Sequence, residues 1–95
     1  MAAYLVIDID VTNPTQFEKY KKPAREAIAK YGGRFLIQGG AYEAVEGDWK
    51  PHRFSLVEFD SMEKLKAFYH SPEYQAAIKT RTGAANMKML LVQGV

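Results

Sequence analysis

The hydrophobic period of the 95 residues changes in a palindromic order: strand-like, helix-like, strand-like, strand-like, helix-like, strand-like. Residues 4–11 (YLVIDIDV) alternate, with Leu5, Ile7, Ile9 and Val11 on one face and Tyr4, Val6, Asp8 and Asp10 on the other. Asn13-Pro14 then opens a helix: asparagine accepts amide donors at an N-cap, proline suits the first helical position, and Gln16 stands at the capping-box spacing. Phe17, Tyr20, Ala24, Ala27, Ile28 and Tyr31 recur at three- and four-residue steps, as one buried helix face requires. Pro23 lies inside that helix and frees the carbonyl of Lys19, which predicts a kink. Gly32-Gly33 ends the helix.

Residues 34–38 and 41–46 read as extended, and Gly39-Gly40 as a bulge or bend in one long strand. Residues 47–51 form a hairpin loop and 52–59 the returning strand. Asp60 is the expected cap of the next helix, with Glu63 at the capping-box spacing and Leu65, Phe68 and Tyr69 facing inward. Ser71-Pro72 restarts a second helical segment carrying Tyr74, Ala77 and Ile78, Gly83 closes it, and residues 87–93 form the last strand. Without a linker or repeat, residues 1–95 are expected to form one domain.

The order predicts an α+β, ferredoxin-like βαββαβ fold, a four-stranded antiparallel sheet with both helical segments on one face. The other face is expected to carry Tyr4, Val6, Asp8, Leu36, Phe54, Leu56, Met89 and Leu91. That patch is too apolar to stay wet, so a homodimer built sheet against sheet is expected.

Composition narrows the function classes. The apolar share of 47% is that of a globular protein, and the absence of cysteine removes disulfides, thiolate chemistry and cysteine-based zinc sites. A net charge of +2 is too small to argue for nucleic acid. Lys19, Lys21, Lys22 and Arg25 cluster, but Glu18 and Glu26 interleave with them and make a solvated helix face the plainer reading. No apolar run reaches the roughly 18 residues of a membrane span. The first residues carry acids and no basic stretch, unlike a signal peptide, so a cytoplasmic location without membrane partners is expected.

KYGGRFLIQGG (30–40), EGDWKPHRFSLVEFDS (46–61) and FYHSPEYQ (68–75) resemble the family called domain of unknown function 1330, and the similarity runs over essentially the whole chain. The resemblance implies the dimeric α/β-barrel superfamily, which elsewhere includes cofactor-free monooxygenases, muconolactone isomerases and haem-degrading proteins. It supplies an architecture and no residue roles.

Six residues are candidates for chemistry or binding. Asp8, Arg34 and Glu58 are expected to meet between the sheets. There Arg34 either neutralises the two acids and fixes dimer register, or the group provides a general base or an acid-binding arginine. Tyr20 lies one turn before Pro23, either as a core ring with a wet tip or as a hydroxyl in a cleft, with Tyr69 and Tyr74 as weaker cases. Trp49, at the hairpin tip, is expected to touch a partner subunit or cover a pocket mouth. His52, which starts the third strand, and His70 lack metal-ligand spacing, so no metal or cofactor is expected. Three functions stay open: binding of a small organic molecule between sheet and helices, cofactor-free enzymatic turnover of such a molecule, or a structural dimer without a pocket.

Overall fold

In the computed structural model, which describes residues 1–95, β1 (Ala3–Val11) leads into α1 (Pro14–Lys30), β2 (Arg34–Gln38) and β3 (Phe54–Phe59). Then follow α2 (Met62–Tyr69), α3 (Pro72–Thr80) and β4 (Ala85–Gln93). The strands lie in the order β2-β3-β1-β4 with every neighbour antiparallel, which is the expected ferredoxin-like sheet.

The helix starts are built by side chains that accept orphan amides. Asn13 accepts from the Gln16 amide at 3.2 Å, and Ser71 from that of Tyr74 at 3.1 Å. The cap of α2 is Ser61, which accepts from the Lys64 amide at 3.1 Å, and not Asp60. The Asp60 carboxylate turns instead to two cations, Arg34 at 3.4 Å and Lys64 at 3.5 Å. α1 runs through Pro23 to Lys30 as one helix. Lys19, whose carbonyl Pro23 leaves without its helical donor, is an exposed residue.

All three helices cover the face that carries Leu5, Ile7, Val57 and Phe59. The core is completed by Phe17, Tyr20, Ala24, Ala27 and Ile28 of α1, Leu65 and Phe68 of α2, and Tyr74 and Ala77 of α3. Gly33 is required by close packing at the entry to β2. A Cβ there would stand 2.6 Å from the Phe59 ring and 2.8 Å from Ile28.

Two further expectations about the strands fail, each for a definable reason. Residues 41–46 do not continue β2; residues 39–53 form a loop. β3 has no ladder to offer there, because Pro51 lacks an amide and the amides of His52 and Arg53 donate to Asp8 at 2.8 and 3.1 Å. His52 therefore lies in the loop and β3 begins at Phe54. The second correction concerns β4. Leu91 pairs with Leu5 and Met89 with Ile7, so both point toward the helices, while Leu90 and Val92 face outward. Leu90 is 64% exposed, and Met89 packs against the core.

Candidate functional site

The uncovered sheet face is ordered in rows that the register defines. Arg34, Glu58, Tyr4 and Val92 form the first row; Ile37, Leu56, Val6 and Leu90 the second; Phe54, Asp8 and Lys88 the third. A bulge between Phe35 and Ile37 adds Leu36, half exposed, beside the second row. An apolar stripe thus crosses the sheet between two polar rows.

The three charges expected to form one cluster are split between those polar rows. Arg34 pairs with Glu58 at 2.6 Å and with Asp60 at 3.4 Å, and Tyr4 donates to Glu58 at 3.1 Å. Its hydrogen bond to Glu58 raises the Arg34 pKa, and the same carboxylate raises that of Tyr4. Asp8 does not meet Arg34. Desolvation pushes Asp8 upward, but the amides of His52 and Arg53 together with the His52 side chain outweigh it and hold Asp8 below the usual carboxylate range. The His52 ring also approaches Asp8 at 3.6 Å and Asp10 at 3.8 Å. Asp8 is therefore the acceptor that fastens the end of the loop to β1. Trp49 stands edge-on to Phe54, ring centroids 6.0 Å apart, and is 64% exposed. With Asp8, His52, Lys88 and Leu90 it borders an open depression of about 540 Å³ on this uncovered face.

Tyr20 lies on the opposite side of the sheet. Its hydroxyl is 2.6 Å from that of Tyr74, both buried, and the Arg81 guanidinium stacks 5.3 Å from the Tyr20 ring centre. Burial raises both phenol pKa values, with Tyr74 reinforcing the effect on Tyr20. The Tyr20 hydroxyl thus joins α1 to α3 and does not meet the carbonyl of Lys19.

The ring of Tyr20 forms part of a second cavity, a cleft of about 190 Å³ between α1 and the sheet. Phe17, Ala24 and Ile28 of α1 face Ile7, Ile9, Phe35 and Met87 of the strands across it. Gln38 and the buried Ser55 add neutral polar groups, and Lys21, Arg25 and Arg53 bring three cations. Of the six candidates named from sequence, only Tyr20 reaches this cleft. Lys21 and Arg25 belong to the charge cluster that reads as a solvated helix face, yet each follows a core position of α1, Tyr20 and Ala24, and so borders the buried stripe. Arg53 had no such periodic signal, because the loop places it. No carboxylate, imidazole or thiol lines the cleft, and nowhere do three His, Cys, Asp or Glu side chains gather as a metal site would need. No helix is long and apolar enough to cross a membrane.

Solved structures share this architecture. A protein of unknown function from Rhodopseudomonas palustris superposes with a TM-score of 0.72 at 16% identity, over 99% of this chain and 82% of that one. SnoaB, a cofactor-independent oxygenase from Streptomyces nogalater, gives 0.66 at 11% identity over 99% and 93%. A dimeric protein of unknown function and ferredoxin-like fold from Bacteroides fragilis gives 0.62 at 14% identity over 98% and 96%. These likenesses, with the sheet order, define an α+β protein of the ferredoxin-like class. Within that class the chain belongs to the family described as Domain of unknown function (DUF1330), whose model matches residues 2–95. No curated protein matches the sequence.

Proposed function

We propose that the protein is a homodimeric binding module that takes a small organic molecule into the cleft between α1 and the sheet. The observation that carries the reading is the lining itself: a mostly apolar cavity with a few converging polar groups, as small-molecule sites have. An engineered cavity of about 150 Å³ accommodates benzene, so about 190 Å³ suits a single ring or a short branched chain. Turnover is the weaker reading: no carboxylate, imidazole or thiol lines the cleft, the Tyr20 hydroxyl is bound to that of Tyr74 with its pKa raised, and Lys21 is paired with Glu18. The oxygenase likeness, at 11% identity, supports the fold alone.

The dimer rests on the apolar row Ile37, Leu56, Val6 and Leu90, which a twin sheet would cover. Similar structures from Bacteroides fragilis and Thermobifida fusca are described as dimeric. In such a dimer Trp49 would lie at the rim of the inter-sheet contact.

A thermal-shift screen with small aromatic acids, quinones, lactones and haem tests the reading. At least one compound should raise the melting temperature of the wild-type protein, and Ala24→Trp, which fills the cleft, should remove that shift. A panel without any shift would leave the structural dimer as the better account. Sedimentation velocity of wild type and Leu90→Lys tests the dimer, with the variant expected to sediment as a monomer.

A further inference from the structure

We propose that the cleft selects an anionic ligand, a single-ring or short-chain carboxylate, whose headgroup is held at the mouth by Arg53 and Arg25. This rests on the cleft being the binding site and adds the chemical class of what binds. Three cations line the cavity and no acid does. Lys21 is already engaged by Glu18 at 2.7 Å, an exposed acid whose pKa Lys21 lowers most, with smaller contributions from Arg53 and Arg25. Arg25 and Arg53 have no carboxylate within ion-pair distance. Two arginines free of a direct ion pair, beside walls of isoleucine, phenylalanine and methionine, offer a forked donor at the mouth and an apolar bed behind it.

The backbone of Arg53 is held by two hydrogen bonds and its side chain by close contact with the loop. Its amide donates to Asp8 at 3.1 Å, and its carbonyl accepts from the Ile9 amide at 3.1 Å. Its side chain lies across Gly39, where a Cβ would come 3.0 Å from Arg53 Nε and 3.1 Å from its Cγ. Gly39 also has φ of +65°, a left-handed conformation that glycine adopts freely, and its amide donates to the Phe54 carbonyl at 2.8 Å. The loop thus gives the guanidinium a bare backbone surface to rest on at the cleft.

Calorimetric titration with phenylacetate and with its uncharged twin phenylacetamide separates the possibilities. Phenylacetate should bind about tenfold more tightly, the effect of one charge-assisted contact, and the ratio should shrink as salt is added. Arg53→Gln and Arg25→Gln should each bring the ratio toward one by weakening phenylacetate more than phenylacetamide, and Arg53→Lys should keep part of the preference. An unchanged melting temperature without ligand serves as the check that the variants are folded. Equal binding of acid and amide to wild type overturns the anion preference and leaves the cleft reading standing. Binding that survives Ala24→Trp overturns the cleft reading, and no binding of either probe overturns both.

Discussion

Around α2 and the start of α3 the inner face of the sheet is filled with rings. Phe59 and Phe68 lie 5.3 Å apart, Phe68 and Tyr74 4.5 Å, and Tyr69 and Tyr74 5.7 Å, centroid to centroid. Under α1 the small residues are Ala24 on the helix and Ser55 on β3, and about 190 Å³ stays open between helix and sheet. The two sides share one fold plan and both carry aromatic rings, but only the α1 side has small residues at two facing positions. Close packing at one end provides stability, which lets the other end keep space for a ligand.

Substitutions of equal chemistry on the two sides should separate them. Phe68→Ala empties the packed side and should cost about 3–5 kcal/mol in denaturant unfolding. Phe17→Ala should cost about 1 kcal/mol less, because its ring already borders open space and leaves a smaller new void. A loss of the same size at both positions would mean that the cleft is closed in solution. Overpacking should separate the sides in the opposite direction. Ala77→Leu, in the packed region, should destabilise by about 1–3 kcal/mol. Ala24→Leu should be neutral or stabilise by up to about 1 kcal/mol.

The smallest effect concerns the link between the two sides. Lys30 and Tyr31, at the end of α1, both bind Glu73 at the start of α3, the tyrosine donating at 3.0 Å. The Lys30 hydrogen bond, helped by the helix-start amide and Tyr31, depresses the Glu73 pKa from 4.5 to about 2. A depressed carboxylate contributes stability above its unfolded value and loses it as the pH falls, here from 4.5 through about 2. Melting curves between pH 5 and pH 2 should therefore fall less steeply for Glu73→Gln than for wild type. Parallel slopes would show that the pair does not hold the helices together.

Much of this architecture is legible in the sequence, and the exceptions have physical causes. Alternation at Leu5, Ile7 and Ile9 identifies β1 and its buried face, because polar residues interrupt the run on the other side. In β4 the run Leu90-Leu91-Val92 has no such interruption, and only the pairing of Leu91 with Leu5 decides which side faces the helices. Residues 41–46 have strand-like composition, but a strand needs a neighbour, and Asp8 draws away the amides that would supply one. Asp60 and Ser61 are both able caps, and the choice turns on Arg34, distant in sequence, attracting the aspartate. The same limit applies to the cleft. Tyr20 stands out as an aromatic on a buried helix face, whereas Arg53 becomes a candidate only when loop, sheet and Gly39 are assembled around it.

Asp8 has its carboxylate on the uncovered face of β1, yet the residue it holds, Arg53, lines the cleft behind the sheet. One side chain therefore ties the layout of one surface to that of the other. A family member that replaces this aspartate must supply a new acceptor for two neighbouring amides or let the mouth of its cleft drift. Changes to the outward surface and to ligand preference are then expected to be inherited together, with residue 8 and residue 53 varying as a pair.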